Sequence, residues 1–327
     1  MKIGKLPNGI LKEMILDKLP TKRSEVLVRP GIGEDCSVVD FGEYACVLSG
    51  DPITGTTLEI GRLAVHISCN DIASCGVEPL GLLVTLLAPP GTSEKELEHI
   101  MGQLAETAAA LNVDILGGHT EITNSVNRII INTTAIGKAI KDRLVTTSGA
   151  RPGDSLVLTK SAGIEGTAIL AFDREAELSA SLGKSVTDEA KSFMDNISVV
   201  KEGLIAGSFG VSAMHDVTEG GVLGAVWEMC EASGTGCLIH ENLIPIAMST
   251  ARICEYYNIS PLKLISSGCM LIACSDGEGL AAELQQQNIP AAVIGWMTGD
   301  GEKLLNTSGV LVELEPPGSD ELFSVIG

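Results

Sequence analysis

The chain has 327 residues and a formal net charge of −20, and its residues are 45% hydrophobic, 20% charged and 3% aromatic. This composition excludes a disordered chain, and the acidity argues against a nucleic-acid partner, because nucleic-acid binding relies on Lys and Arg to neutralise phosphates. The length suits two domains of roughly 150 residues each.

Strand-like and helix-like segments alternate in the first half, which is typical of an α/β domain. The best-marked helix begins with a capping box formed by Ser93 and Glu96, and its apolar residues recur at helical spacing up to Leu111. The other predicted elements are strands at 44–49, 81–88 and 128–137 and a helix from about 62 to 75. The turn-rich segment 147–154 predicts a domain boundary.

The second half repeats this alternation and predicts a second α/β domain. We expect strands at 155–159, 270–274, 291–295 and 310–314, helices near 187–208, 220–232 and 277–287, and a loop at 180–187. The predicted division is an N-terminal extension at 1–30, an N-terminal domain at 31–148 and a C-terminal domain at 149–327.

The cysteines indicate where the chain resides. The nine of them form no Cys-x-x-Cys pair, and the N-terminal segment has no hydrophobic run. We therefore expect buried free thiols and a reducing cytoplasmic location. No stretch reaches the roughly 18 uninterrupted apolar residues that a membrane span requires, so we expect no membrane partner.

The segment from Asp114 to Glu121 predicts a buried strand that runs into the double glycine Gly117 and Gly118. Such a pair is either an ordinary turn or a place where a phosphate approaches the main chain closely. The side chains that follow it could contact a cation or an oxyanion, and they are His119, Thr120 and Glu121.

Several acidic residues stand beside glycines or at the ends of apolar elements. They are Glu34, Asp35, Asp51, Asp71 and Asp216. Mg²⁺ prefers such oxygen ligands and usually keeps substrate phosphates in its shell, so the set predicts a site for a magnesium polyphosphate. Singly, each carboxylate could instead cap a turn or bond a backbone amide. Asp71 needs a partner because its predicted helix face is otherwise small and apolar.

Other polar residues leave two readings open. The glycines Gly220 and Gly221 open a predicted helix, where they could serve a cap or a phosphate. Lys160 could steady a phosphate or lie on the surface, and His119 and His215 could be metal ligands, acid/base groups or structural residues. Two cysteines are candidate nucleophiles, namely Cys36 and Cys269.

Taken together, the motifs resemble the aminoimidazole ribonucleotide synthetase (PurM-like) superfamily. They are Gly-Ile-Gly-Glu-Asp35, Asp51, Asn-Asp71-Ile-Ala-Ser-Cys-Gly-Val-Glu-Pro, Gly-Gly-His-Thr-Glu121, Arg-Pro-Gly-Asp154 and Asp216-Val-Thr-Glu-Gly-Gly. Arg151-Pro-Gly-Asp is most similar to the hydrogenase maturation factor of that superfamily.

The resemblance implies an α/β (α+β) fold in two domains, the first of which dimerises through its sheet into a β-barrel. It also implies ATP and Mg²⁺ as cofactors and a phosphoryl transfer that activates a carbonyl, amide or hydroxyl oxygen. By motif position, Asp35, Asp51, Asp71 and Asp216 would hold metal. Gly117, Gly118, Thr120, Gly220 and Gly221 would bind the nucleotide, and the catalytic candidates are His119, Glu121 and Lys160.

Departures from that family keep other functions open. Glu121 stands where the maturation factor has a lysine, Ser267 stands where it has a glutamate, and the chain ends at Gly327 without that factor's terminal cysteine. We expect a homodimer with a small-molecule or protein acceptor and a maturation partner protein. The alternatives are a non-catalytic nucleotide-binding scaffold and a small-molecule kinase resembling thiamine-monophosphate kinase.

Overall fold

A computed structural model describes residues 4–54 and 58–326, and they form two β-sheets with helices packed against both. The first sheet has the order β1-β2-β3-β6-β4-β5. Its strands are β1 (Val26–Val28), β2 (Ser37–Phe41), β3 (Tyr44–Ile53), β4 (Pro79–Ala88), β5 (Asp114–Ile122) and β6 (Ile130–Ile140). The pairs are antiparallel except β4 with β5, which is parallel.

The second sheet has the order β13-β12-β9-β11-β7-β10-β8. Its strands are β7 (Ser155–Thr159), β8 (Ala213–Asp216), β9 (Gly236–His240), β10 (Met270–Cys274), β11 (Ala291–Thr298), β12 (Lys303–Thr307) and β13 (Val310–Glu313). Strands β7, β8 and β10 lie at its centre and far edge and are almost wholly buried. This burial agrees with their unbroken apolar runs.

Eleven α-helices are present among the described residues. They are α1 (Asn8–Met14), α2 (Ile60–Ser74), α3 (Glu94–Ala110), α4 (Ile164–Asp173), α5 (Glu175–Leu182), α6 (Lys184–Ser192), α7 (Val200–Phe209), α8 (Gly221–Ser233), α9 (Met248–Tyr257), α10 (Gly277–Gln286) and α11 (Leu322–Ile326). The capping box predicted at Ser93 and Glu96 is confirmed. No helix in the described ranges is long and apolar enough to cross a membrane.

The loop predicted at 180–187 is wrong, and the helix predicted near 187–208 is broken. Helices α5 and α6 occupy the supposed loop and meet at Gly183, whose φ of 95° permits a sharp change of direction. A 3₁₀ turn at Phe193–Asn196 then separates α6 from α7. Small polar residues at 180–187 suggested a loop, but Val186 and Ala190 pack in the core.

Strand β5 is not the buried strand that the sequence predicted. It forms the open edge of the first sheet, and all of its residues except Ile115 are exposed. The double glycine lies within the strand instead of ending it. A Cβ on Gly118 would lie 1.8 Å from the carbonyl oxygen of Val84, so only glycine allows this close approach of β5 to β4.

A buried asparagine joins the two halves of the molecule. Asn70 on α2 donates from Nδ2 to the carbonyl oxygen of Ile197 at 2.9 Å and accepts from the amide of Val199 at 2.8 Å. Its side chain is fully buried. Because both partners immediately precede α7, these bonds fix α2 of the first half against the second half.

Candidate functional site

A cleft of about 470 Å³ lies between the two halves. Its walls come from the loop before β2, the end of β3, α2, α4, the end of β8 and α8, and the terminal segments close it from outside. The four predicted metal ligands Asp35, Asp51, Asp71 and Asp216 all line this cleft. The fold therefore brings together carboxylates that are up to 181 positions apart in the chain, as Asp35 and Asp216 are.

The hydroxyl of one serine, Ser49, contacts the carboxylates of both Asp51 and Asp71. Ser49 and Asp51 point to the same side of β3 because they are two residues apart, and Asp71 faces them from α2. The hydroxyl of Ser49 donates to Asp71 Oδ2, and it lies 3.1 Å from Asp51 Oδ2. Burial, together with the charges of Asp216 and Asp51, raises the pKa of Asp71 well above its usual range.

Asp35 and Asp216 line the opposite wall. There the ring of His215 lies between the carboxylates of Asp35 and Glu228. His215 Nδ1 lies 2.7 Å from Asp35 Oδ1, and its Nε2 lies 3.2 Å from Glu228 Oε2. Burial lowers the pKa of His215, but Asp35 and Glu228 outweigh it and raise that pKa well above its usual value. His215 therefore acts as an internal cation that holds this wall.

The donor set suits a divalent cation. Carboxylate oxygens of Asp35 and Asp216 lie within 4.8 Å of each other, and the protonated His215 beside them offers no lone pair to a metal. Asp35 Oδ2 and Asp216 Oδ2 are buried and have no hydrogen-bond partner among the described residues. Burial and the charge of Asp35 raise the pKa of Asp216 to about 8. Oxygen ligands with such mutual repulsion favour a hard cation, which would relieve it.

The N-terminal segment brings a positive charge to the cleft. Lys5 Nζ donates to Thr218 Oγ1 at 3.1 Å, and the Lys5 amide donates to Glu219 Oε2 at 3.0 Å. Lys5 and His215 are the basic residues that line the cleft within the described ranges. An adjoining cavity of about 790 Å³ shares Lys5 and Asp51 and extends along the loop 124–128 to Arg128.

The residues predicted on β5 lie elsewhere. Strand β5 is three strands away from Asp51 on β3, and Gly117, Gly118 and Thr120 do not line the cleft. His119 Nε2 lies 3.2 Å from Glu121 Oε2 on the exposed strand. One chain by itself therefore does not bring these predicted nucleotide and catalytic residues to the carboxylates.

The predicted phosphate site at the start of α8 is already engaged by the protein. The amide of Gly220 donates to Asp320 Oδ2 at 2.8 Å, and Asp320 Oδ1 accepts from the amides of Ile265 and Leu322. Burial raises the pKa of Asp320 to about 6 despite these bonds. A carboxylate of the chain thus takes the place where we expected a phosphate at Gly220, and the amide of Gly221 donates to the Thr218 carbonyl oxygen at 3.1 Å.

Lys160 does not line the cleft, and its ammonium group instead bonds to groups of the second half of the protein. Its Nζ lies 2.6 Å from Glu202 Oε1 and donates to the carbonyl oxygens of Asn196 and Ser198.

The two candidate nucleophiles, Cys36 and Cys269, are also engaged by hydrogen bonds within the protein. Cys36 Sγ donates to the Asp71 carbonyl at 3.1 Å and Cys269 Sγ donates to the Ser161 carbonyl at 2.8 Å, and burial raises the pKa of Cys269 to about 12. Burial also raises the pKa of the Cys36 thiol.

Glu165 and Glu228 also line the cleft, although the sequence did not indicate them, and so does Ser267, which the sequence marked only as a departure from the family pattern. The amide of Ser267 donates to Glu165 Oε2 at 3.1 Å. Each of the two glutamates stands among apolar residues of a helix, where a carboxylate requires a partner. This is the same signal that drew attention to Asp71.

Comparisons with known proteins agree with the two-part architecture. Residues 33–139 match the family model for the N-terminal domain of AIR synthase related protein, and residues 151–305 match the model for its C-terminal domain. A protein of Methanocaldococcus jannaschii, named as a hydrogenase expression/formation protein, is 29% identical over 323 residues, which cover 95% of this chain and 91% of the relative. The carbamoyl dehydratase HypE of Cupriavidus necator is 27% identical over 249 residues, covering 74% and 69%.

Solved structures share the fold. The HypE–HypF complex superposes with a TM-score of 0.78 at 24% identity and covers 94% of this chain and 99% of that chain. HypE in complex with ATP gives a TM-score of 0.69 at 21% identity, covering 96% and 95%. Thiamine monophosphate kinase from Aquifex aeolicus gives 0.72 at 16% identity, covering 96% and 100%.

Proposed function

We propose that this chain, which belongs to the AIR synthase-related protein family, is an ATP- and Mg²⁺-dependent enzyme that transfers a phosphoryl group to an oxygen atom of its acceptor. The observation that carries the proposal is the convergence of Asp35, Asp51, Asp71 and Asp216 from both halves on one cleft. Bound Mg²⁺ would neutralise phosphate charge there. The adjoining cavity at Arg128 provides room for the rest of the nucleotide.

The residues of the cleft suit direct transfer without a covalent enzyme intermediate. Phosphoryl transfer depends mainly on positioning and on charge stabilisation. Asp51 and Asp71 share the Ser49 hydroxyl, and His215 holds Asp35, so the carboxylates are positioned before any ligand binds. Lys5 would contact phosphate oxygens from the N-terminal side.

We propose a carbamoyl or related amide group as the acceptor. The support is that the Cupriavidus relative is a carbamoyl dehydratase and that the Methanocaldococcus relative is named as a hydrogenase expression/formation protein. Phosphorylation of an amide oxygen turns it into a phosphate leaving group, which is the activation that a dehydration requires. A maturation protein that carries the carbamoyl group is the proposed partner, since a HypE with this fold forms a complex with HypF.

A homodimer is the proposed assembly. The outer edge of strand β5 has no pairing strand among the described residues, and the sheet near it exposes Leu80, Leu83, Leu116 and Ile122. An exposed apolar edge of this kind is a favourable surface for a second copy of the chain. His119 and Glu121 lie on the same strand, so such a contact would remove them from solvent.

Titration calorimetry with ATP, in the presence and absence of Mg²⁺, tests the proposal directly. We expect binding that requires Mg²⁺, followed by ADP formation when S-carbamoyl-N-acetylcysteine is supplied and products are monitored by phosphorus NMR. Binding without any ADP on prolonged incubation would indicate a nucleotide-binding scaffold. Absence of both heat and ADP would contradict the proposed function.

A further inference from the structure

The carboxyl group of Glu165 lies in the cleft in addition to the four carboxylates of the proposed metal site. Glu165 occupies the first turn of α4, and Ser267 precedes β10 in the segment that follows α9. Both line the same cavity as Asp51 and Asp71. The Ser267 amide donates to Glu165 Oε2 at 3.1 Å, which fixes the carboxyl group at this end of the cavity.

This carboxyl group has no cationic partner in the described part of the chain. Glu165 is only 2% exposed, and burial raises its pKa to about 7 against the lowering effect of Ser267. A buried carboxyl without a cation is costly, and an apolar residue would stabilise the fold better. Carboxyl groups with a strongly raised pKa cluster at functional sites.

Ser267 adds an independent observation. Its side chain is fully buried. The hydroxyl lies near the Glu165 carboxyl, but it forms no well-aligned hydrogen bond with any residue that the structure describes. A buried hydroxyl that lines a cavity and lacks a partner is available to a ligand. Glu165 and Ser267 together therefore offer a proton acceptor and a hydrogen-bonding hydroxyl side by side.

The negative charge around Glu165 favours an uncharged acceptor over an anionic one. Among charged groups, Asp320 and Glu219 have the largest effects on the pKa of Glu165, and both are acidic. A phosphate monoester would be repelled here, whereas a neutral amide can donate N–H bonds to a carboxylate and accept one from a hydroxyl. The acceptor that fits is thus uncharged.

We propose that Glu165 is a catalytic residue that removes a proton from a neutral carboxamide or carbamoyl acceptor, with Ser267 as its positioning residue. The proposal rests on the proposed function. In the step, the acceptor N–H bond breaks and its proton passes to the Glu165 carboxylate. The electron pair forms a C=N bond, the carbonyl oxygen bonds to the γ-phosphorus, and ADP leaves with the electron pair of the broken P–O bond.

The test compares full-length wild type with Glu165→Gln, Glu165→Asp and the surface control Glu278→Gln, using MgATP and the uncharged acceptor S-carbamoyl-N-acetylcysteinamide. Gln can still accept the Ser267 amide but cannot take up a proton. We expect kcat for ADP formation to fall by roughly 100-fold or more in Glu165→Gln, with partial recovery in Glu165→Asp. The MgATP Kd should change less than twofold, and the limb of the wild-type pH profile near 7 should disappear.

Two contrary results are distinguishable. If wild type forms ADP and Glu165→Gln matches it in kcat and pH profile, the assignment of Glu165 is wrong and the proposed function stands. If wild type neither binds MgATP nor forms ADP, the proposed function fails and the assignment fails with it. Circular dichroism and the melting temperature establish that the Gln variant is folded in either case.

Discussion

Asp35 and His215 lie 2.7 Å apart, Oδ1 to Nδ1, and they connect the loop before β2 to strand β8 of the other sheet. Glu228 on α8 contacts the other nitrogen of the same ring, so two carboxylates hold the imidazole between them. The cleft wall is therefore ordered by the protein alone. A nucleotide and its cation would meet carboxylates whose separation is already set, which reduces the ordering entropy of binding.

Replacing Asp71 by Asn should separate stability from binding. The buried carboxyl is destabilised by its neighbours, so the neutral amide should raise the melting temperature of the unliganded protein. The same change should weaken MgATP binding at least about tenfold, because it removes an oxygen charge from the proposed metal site. Calorimetry and thermal denaturation measure both effects. Asp188→Asn, at an exposed site, is the control, and unchanged MgATP affinity in Asp71→Asn would contradict the proposed metal ligand.

Glu165 should make stability fall as the pH rises. Its pKa is raised from 4.5 to about 7 in the folded state, so the folded protein binds the extra proton and loses that advantage between these two values. The loss amounts to about 3–4 kcal/mol, because the shift of about 2.5 pKa units is multiplied by about 1.4 kcal/mol per unit. Urea unfolding of Glu165→Gln should show a weaker dependence on pH than wild type. Parallel curves for the two proteins from pH 4.5 to 8 would contradict this account.

Lys160→Met should destabilise the fold and spare nucleotide binding. The change leaves the buried Glu202 carboxylate without its cation and should cost about 3–5 kcal/mol. The double variant Lys160→Met/Glu202→Gln removes the stranded charge and should recover part of that loss. Chemical denaturation measures the stability. A MgATP affinity reduced in step with stability would instead support the phosphate role that the sequence suggested for Lys160.

Gly118→Ala should disrupt the edge of the first sheet. An added Cβ would collide with the Val84 carbonyl, and the φ of 143° is unfavourable for alanine. We expect a loss of at least about 2 kcal/mol in the free energy of unfolding. Gly102→Ala, in open space on α3, is the control and should be neutral or slightly stabilising. Equal stability of the two variants would contradict the close β4–β5 contact.

Leu116→Lys should test the proposed dimer. Leu116 is 55% exposed on β5, and a charge there would have to be desolvated in a contact between two copies. Light scattering after size-exclusion chromatography should show a dimer for wild type and a monomer for the variant. Leu243→Lys, at a similarly exposed position in the second half, should remain dimeric. A wild-type monomer would exclude the assembly.

Local patterns were sufficient for much of the fold. Hydrophobic periodicity and caps located α2, α3, α8 and α10 to within a few residues, and the family resemblance and the two-domain α/β class are confirmed. The position of β5 could not be read in this way, because strand order depends on pairing between distant segments. An apolar segment that looked buried therefore proved to be an exposed edge.

The site was predictable where a residue stood out from its immediate neighbours. Asp71 did so on an apolar helix face, and the fold brings it beside Asp51, although their role as metal ligands stays a prediction. Lys5 and Asp320 enter through contacts across more than 50 residues, which no local spacing encodes. The roles suggested for His119 and Glu121 depend on a second copy of the chain, and so they too stay predictions.

Asn70 restrains the opening of the cleft. Its two bonds to the backbone before α7 lie one residue from Asp71, so any motion that spreads the halves must break buried hydrogen bonds beside the proposed metal site. The junction between the two halves is therefore rigid, and the halves do not hinge about it. Exchange of nucleotide should accordingly proceed through displacement of the Lys5 segment at the rim, with the carboxylate walls staying at a constant separation throughout the cycle.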